Sequence, residues 1–392
     1  MVLKNITCPG CQSSKVEDFF VVKNAPVQSV VTIQSYDEAI AIPKKDISLA
    51  FCNDCGLIFN SSFDTSIEYY TNGYEDQQGF SPAFNMFITG VSNKFIDKYE
   101  VREKDIVDIG CGKGDFINLL CDLGNNRGIG IDPAFVPGRL KSNPNVSFLK
   151  EFYSEEHGNL SSDVITCRHT LEHIHDIDKF IKMVRRSING NEDVTVFIEV
   201  PGIVRILNIH AFWDIFYEHC NYFSPGSLSR LFKMNGFEIL DTYLEYDDQY
   251  LFLEATPIKD ISSAVHPLEE SVKTLRGHVD DFVIQINEQL RSWRKRLLKM
   301  KEQNEKVAIW GGGSKAVGFL THFDDLGVIK HVVDINPHMQ GNFIPGIGIQ
   351  YVSPVFLREY KPDTIIIMNG IYENEIRKML TDIDLYPKLI CL

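Results

Sequence analysis

The sequence predicts an α/β protein: a doubly wound nucleotide-binding fold at the centre, a small cysteine-built module before it and a second α/β lobe after it. Three observations carry this. Two Cys-x2-Cys pairs lie within the first 55 residues. Twice, from Asp105 and from Val307, a short apolar strand runs into a glycine turn and then a helical stretch. The length, 392 residues, suits about two to four domains. The pattern divides as 1–70, 71–255, a linker and long helix over 256–305, and 306–392.

In the first part, Cys8-Pro9-Gly10-Cys11 and Cys52-Asn53-Asp54-Cys55-Gly56 have the form of two zinc knuckles. A tight turn brings two thiolates to one Zn²⁺, and two such turns complete a four-sulfur tetrahedron with no open position, which is a structural rather than catalytic set. The alternative is four reduced thiols without metal. The chain has nine cysteines, an odd number, and its opening residues carry no hydrophobic leader segment, so a disulfide framework is not expected and a reducing cytoplasm is. The 40 residues between Cys11 and Cys52 hold a β-like stretch, Val27–Ile33, and an insertion. Zinc would stabilise a module too small to support its own core.

In the central part, Asp105–Ile109 is a short apolar strand, followed by the turn Gly110, Gly112, Gly114 and a helical stretch. The second strand, Gly128–Asp132, ends in an acid 18 residues past Gly114, where a carboxylate can accept both hydroxyls of a ribose. A glycine turn alone is a weak signal. With Asp108 and Asp132 each at the end of a strand it favours S-adenosylmethionine (SAM), which has no pyrophosphate to cradle, over NAD. Phe152, after the third predicted strand, suits either stacking near an adenine or an ordinary core position.

From 267 to 305 the pattern is one long helix. Leu275, Val279, Phe282, Ile286, Leu290, Trp293 and Leu297 form a continuous apolar stripe. It is expected to pack on the C-terminal lobe or bridge two lobes; a coiled-coil seam driving dimerisation is the alternative. The basic stretch Arg291–Lys301 reads as a solvated helix face near the negative end of the dipole rather than a nucleic-acid patch. In the last part, Val307–Trp310 leads into Gly311-Gly312-Gly313-Ser314-Lys315-Ala316, with Asp334 21 residues past Gly313. Taken alone, that spacing suits NAD. The backbone N–H groups and Lys315 suit a phosphate, or the turn merely joins strand to helix. No residue-level repeat links the two glycine turns.

Net charge is −14, which argues against a nucleic-acid coat, and no apolar run approaches the ~18 residues of a membrane span. Anionic ligands would need a local basic pocket.

VDIGCGKGDF (107–116) and CRHTLEHIHD (167–176) resemble the class I SAM-dependent methyltransferases. Two N-terminal Cys-x2-Cys pairs, IEVPG (198–202), YEHCNYFS (217–224), GGGSKAVGFL (311–320) and VVDINPHMQGNFIPG (332–346) occur in an order similar to the sugar-nucleotide C-methyltransferases, which add methyl branches to 4-keto-deoxysugars. The similarity covers nearly the whole chain. It implies a class I methyltransferase (Rossmann-like) domain between an N-terminal zinc-binding domain and a C-terminal Rossmann-like domain, the last turned toward the sugar nucleotide rather than NAD. IIIMNGIYENEI (365–376) departs from the family wording, which has an aromatic before the Asn.

The resemblance puts catalysis at Glu218-His219. A carbon beside a ketone becomes nucleophilic only after losing a proton, so a base and a donor for the enolate oxygen are needed. His219 is the expected base and Glu218 its partner or a sugar ligand; Tyr217 or Tyr222 is the expected donor. Against this stands the plainer possibility of an amphipathic helix edge with a solvated Glu218. The family also has a tyrosine after the zinc domain near the sugar: Tyr74 is the choice, with Tyr70 competing and Tyr69 alongside, or these rings seal a domain contact. By the same resemblance His169 faces the active site near the SAM methyl, while Glu172 and His173 form a helix-start network; a metal bound by His169, Glu172, His173 and His175 is the minor alternative. Ser314 and Lys315 are the candidate substrate contacts. The expected cofactors are SAM and structural zinc, the partner a sugar nucleotide, the assembly a monomer or homodimer. Alternatives are an O- or N-methyltransferase on a sugar nucleotide or other small molecule, a non-catalytic scaffold, and an NAD enzyme using the C-terminal fold.

Overall fold

A computed structural model describes residues 6–67, 73–141, 143–160, 162–188, 190–191, 193–258 and 265–392. The strands fall into three sheets. The central one has seven, in the order Phe237–Glu245, Tyr250–Pro257, Thr195–Pro201, Val164–Arg168, Asp105–Ile109, Arg127–Ile131, Val146–Leu149. The last five run parallel, while Tyr250–Pro257 is antiparallel to both its neighbours. Chain order reverses between Asp105–Ile109 and Val164–Arg168, and a crevice opens at the carboxyl ends of strands at such a point. Parallel strands covered on both faces need continuous apolar runs, and Ile106, Val107, Ile109, Val164 and Ile165 are all buried.

The C-terminal sheet has five parallel strands, Tyr351–Val352, Ile329–Val333, Val307–Trp310, Thr364–Ile367 and Lys388–Cys391, with the same reversal beside Val307–Trp310.

The N-terminal sheet is antiparallel: Val16–Pro26, Lys44–Cys52, Ile58–Asn60 and, from far along the chain, Asn221–Tyr222. Two expectations change here. The segment after His219 completes the sheet of the cysteine module. The strand expected at Val27–Ile33 does not form: the first strand, Val16–Pro26, stops before it, and Val31 makes an isolated bridge to Tyr74. Val27, Ser29, Val30, Val31 and Ile33 are all buried, and the backbone bonds of the segment go outside the sheet, with Thr32 N–H donating to the Gly73 carbonyl at 2.9 Å and Glu75 N–H to the Val30 carbonyl at 2.7 Å. The segment is wedged toward the C-terminal lobe, where Phe343 N–H donates to the Ile33 carbonyl at 2.8 Å.

The long helix runs Val272–Glu302. Leu275, Val279, Phe282, Ile286, Trp293 and Leu297 are buried in one cluster with Val22 of the N-terminal sheet, Ile206 and Leu207 of the central domain, and Val317 and Phe319 of the C-terminal lobe. The stripe thus ties three parts together, and each such side chain contributes about 1.5–3 kcal/mol by burial. Its basic end is paired outward, as in Arg294 with Asp325 at 2.8 Å. No helix among the described residues is long and apolar enough to cross a membrane.

Candidate active site

The glycine turn after Asp105–Ile109 has positive φ at Gly110, Gly112 and Gly114 (72°, 58° and 93°). At Gly110 a Cβ would also stand 2.0 Å from Thr170 Oγ1, so only glycine lets this turn lie against the neighbouring loop. Asp132 fastens the turn. One of its oxygens accepts from Gly112 N–H at 2.9 Å and the other from Ala134 N–H at 2.6 Å. Burial pushes Asp132 up to about 6, against those two N–H donors. Asp108, behind the turn, accepts from Thr166 Oγ1 at 2.7 Å and is pushed by burial up to about 7. The turn, Asp108, Asp132, Phe152 and His169 border a cleft of about 210 Å³. Phe152 is 64 % exposed at its mouth, which removes the core alternative for that ring.

A larger cavity, about 380 Å³, lies between the central domain and the C-terminal glycine turn. Tyr74, Asp76 and His169 border both spaces. Tyr74 is held by its main chain: its carbonyl accepts from Lys113 Nζ, within the glycine turn, at 2.8 Å. Tyr69 and Tyr70 lie outside the described residues.

His219 borders the larger cavity, with ring neighbours Phe216, His173 and Tyr222 at 4.1, 4.9 and 5.9 Å. Among the described residues its imidazole makes no hydrogen bond. Burial, reinforced by His173, His169 and Lys315, holds it well below the usual histidine value, so the ring is neutral.

The Tyr-Glu-His run is a turn leading into a strand, not a helix edge, closed by His219 N–H on the Phe216 carbonyl at 3.3 Å. Phe216 and His219, at the two ends of this turn, line the cavity, while Tyr217 and Glu218 between them do not. This corrects three expectations. Tyr217 is fully buried; its hydroxyl accepts from Asp64 N–H at 3.0 Å and its ring stacks on Phe63. Tyr222 lies in the strand and donates to the Phe216 carbonyl at 3.3 Å. Glu218 is 3 % exposed and accepts from Ser29 Oγ, with no hydrogen bond to His219. Burial pushes its carboxyl up to about 7, against the bond from Ser29.

Ser314 and Lys315 border the cavity but are bound within the protein. Ser314 Oγ lies 2.8 Å from Ser29 Oγ. Lys315 Nζ is 2.7 Å from Asp214 and 3.1 Å from Gln249 Oε1. Gly318 makes this contact possible, since a Cβ there would stand 2.4 Å from the Trp213 carbonyl.

His169 is fixed on Glu199 at 3.0 Å, and Arg168 holds the same carboxylate. Burial disfavours charge on His169, but Glu199 and Glu172 outweigh it and bring it up to about 9. His175 stands apart, half-exposed and stacked on Phe63. Instead Glu172, His173 and His219 converge, with one donor atom of each within 4.8 Å of the others.

Sequence reasoning missed Arg205, Asp214, Gln249, Tyr250 and Asn369 on the cavity wall. Arg205 is on the helix Ile203–Asn208, Asp214 ends a short 3₁₀ turn, and Tyr250 opens the strand Tyr250–Pro257 with Gln249 just before it, all outside any motif; Asn369, inside IIIMNGIYENEI, and Glu199, inside IEVPG, had a local signal.

The four cysteines of the N-terminal module bring their sulfurs within 4.8 Å of one another. All are free thiols, and the approaches of Cys8 to Cys55 and Cys11 to Cys52 are 3.6 and 3.5 Å. Four convergent sulfurs without a disulfide fit a tetrahedral soft-metal site.

Residues 91–242 match the methyltransferase domain family, and residues 261–385 match the C-methyltransferase C-terminal domain family. The chain is 25 % identical over 295 residues to the C-methyltransferase NovU of Streptomyces niveus, covering 69 % of this chain and 67 % of that protein. It is 30 % identical over 115 residues to the ubiquinone biosynthesis O-methyltransferase of Saccharophagus degradans, covering 26 % of this chain and 47 % of that protein. Among solved structures, it is similar to magnesium protoporphyrin IX methyltransferase from Synechocystis with bound S-adenosylhomocysteine (14 % identity, TM-score 0.35, covering 48 % of this chain and 90 % of that one). It is also similar to 1,6-didemethyltoxoflavin-N1-methyltransferase from Burkholderia thailandensis (14 % identity, TM-score 0.35, covering 46 % and 83 %).

Proposed function

We propose that this chain, which belongs to the SAM-dependent C-methyltransferases, methylates the carbon beside the ketone of a nucleoside-diphosphate 4-keto-deoxysugar, with His219 as the base. The observation that carries this reading is the His219 imidazole at the wall of the larger cavity, which makes no hydrogen bond among the described residues and is kept neutral by burial. A carbon acceptor needs such a base, because the reacting C–H must be broken before methyl transfer. SAM in the glycine cleft supplies an electrophilic methyl and departs as S-adenosylhomocysteine. His219 takes the α-proton, and the electron pair of that C–H bond becomes the enolate and then the new C–C bond.

Tyr74, at the border of both spaces, is the phenol we assign to the sugar or its enolate oxygen, in place of Tyr217 and Tyr222. Asp132 takes the SAM ribose, with Asp108 behind the glycine turn, and His169 lies where cleft and cavity meet. Arg205 is the cavity cation suited to a diphosphate, and Lys315, held by Gln249, shares the Asp214 carboxylate with it. Asp214, Gln249 and Asn369 suit sugar hydroxyls.

The test is proton exchange. With S-adenosylhomocysteine in place of SAM, the enzyme should wash deuterium from solvent into the α-position of a 4-keto-deoxysugar nucleotide. His219→Ala should lose both exchange and methylation while keeping S-adenosylhomocysteine binding. Normal methylation by that variant would remove His219 from the base role. An oxygen or nitrogen acceptor would be methylated without any exchange.

For the N-terminal module we propose structural zinc on Cys8, Cys11, Cys52 and Cys55. The central helix Pro225–Met234 rests on it, with Arg230 Nε donating to the Cys55 carbonyl at 2.8 Å. Elemental analysis should find one zinc per chain. Chelation should release that zinc and loosen the module, since metal binding and folding are coupled in small thiolate sites. Full thermal stability in metal-free protein would refute the assignment.

A further inference from the structure

Glu172 is 1 % exposed, and among the described residues neither of its carboxylate oxygens has a hydrogen-bond partner. A buried carboxylate left this way is costly and calls for a cation. Its ion-pair partner, His169 Nδ1, stands 3.5 Å away, too far to be hydrogen-bonded, and the other nitrogen of that ring is already bonded to Glu199. Glu172 faces the larger cavity together with His173 and His219. One donor atom from each of the three lies within 4.8 Å of the others. His173 is oriented by its Nδ1 on the Glu218 carbonyl at 3.0 Å, the backbone contact that commonly fixes a metal-ligating imidazole.

We propose that Glu172, His173 and His219 form a reversible site for a borderline divalent cation of the zinc, cobalt and nickel class, and that its occupancy silences the enzyme by engaging the His219 lone pair. Two imidazoles and one carboxylate are the donors that this class prefers, whereas magnesium and calcium favour all-oxygen sets. Three protein ligands leave a fourth position open toward the cavity. The silencing half rests on the reading of His219 as the base; the binding half does not.

The probe is cobalt added to protein already holding its N-terminal zinc. One further equivalent should bind, with visible bands of nitrogen and oxygen ligation and no thiolate charge-transfer absorption. His219→Ala and Glu172→Gln, each required first to retain thermal stabilisation by S-adenosylhomocysteine, should lose that equivalent. Cobalt should also shield His219 from acylation by diethyl pyrocarbonate, read by mass at that peptide, and gel filtration should reverse the shielding. Failure to bind, binding undiminished in both folded variants, or full acylation of His219 with cobalt bound would each overturn the proposal. None of these readouts needs an acceptor substrate. If cobalt binds as described while the enzyme fails to exchange the α-proton of any 4-keto sugar nucleotide, it is the proposed activity that falls.

Discussion

The two glycine turns of this chain are built alike and used differently. In the central domain Gly112 N–H donates to Asp132 at 2.9 Å, and Ala134 N–H takes the other oxygen. In the C-terminal lobe Gly312 N–H donates to Asp334 at 2.8 Å, and Asn336 N–H takes the other oxygen, also at 2.8 Å. In both, the acid that ends the second strand fastens the turn that follows the first. Beyond that they diverge. The central turn opens onto its own cleft. The C-terminal turn hands its next two side chains to other parts of the molecule: Ser314 to Ser29 of the N-terminal segment, Lys315 to Asp214 and Gln249 of the central domain. A fold that could hold a dinucleotide serves here as the far wall of a shared cavity, and its polar groups fix that wall in place.

The largest expected effect comes from disrupting each turn in the same way. Gly110→Ala places a methyl in Thr170 at a φ of 72°. It should abolish stabilisation by S-adenosylhomocysteine in thermal shift. Gly312→Ala places a methyl 2.5 Å from the Tyr351 ring. It should lower the melting temperature, since overpacking a buried site costs about 1–3 kcal/mol, yet leave that ligand response intact. Equal loss of the response in both variants would mean that the two turns do not divide the work.

The fastening acids separate next. Asp132→Asn should weaken S-adenosylhomocysteine by about 10- to 100-fold, the range for losing a charged hydrogen-bond acceptor worth about 1.5–3 kcal/mol. Asp334→Asn should leave it unchanged in calorimetry. The same site gives a pH signature. Burial lifts Asp132 to about 6, offset in part by the N–H groups of Gly112 and Ala134 and by Lys113, while Asp76 lifts it further. Ribose hydroxyls need the ionised form, so affinity should rise with pH through about 6 and then level. Ligand-free stability should move the opposite way. A raised carboxyl binds its proton more tightly when folded, so its contribution is present below the unfolded value, about 4, and is lost as pH climbs toward 6. Asp108, lifted to about 7 by burial, extends that loss. Affinity that is flat across this range in wild-type protein would separate Asp132 from the ribose.

How much of this was legible beforehand follows from range along the chain. The strands at Asp105 and Val307, the glycine turns, their acids and the apolar stripe of the long helix are local patterns, each fixed by residues a few positions apart. The four cysteines were legible because thiol pairs at that spacing have few other uses. The side on which each member of Tyr217-Glu218-His219 falls was not, because it depends on a turn that closes against Asn221–Tyr222, and that strand's partner lies some 160 residues earlier at Ile58–Asn60. Glu172 joined His219 for the same reason: the Cys220 N–H donates to the Glu172 carbonyl at 2.9 Å, a pairing across 48 positions that no spacing rule reports. The Val27–Ile33 segment misled because β-branched residues buried on every side imitate a strand.

The smallest effect is expected at Phe152, and it tests whether the central cleft alone grips the adenine. The ring is 64 % exposed at the cleft mouth, so little of its area is withdrawn from water before a ligand arrives. Stacking of one aromatic pair contributes about 0.5–1.5 kcal/mol. Phe152→Ala should therefore weaken S-adenosylhomocysteine only about two- to tenfold, with no change in melting temperature of the free protein. Adenosine alone should lose the same factor, and homocysteine should lose none. A loss confined to homocysteine would reverse the orientation of SAM in the cleft, and would put its methyl far from His219 and the C-terminal wall.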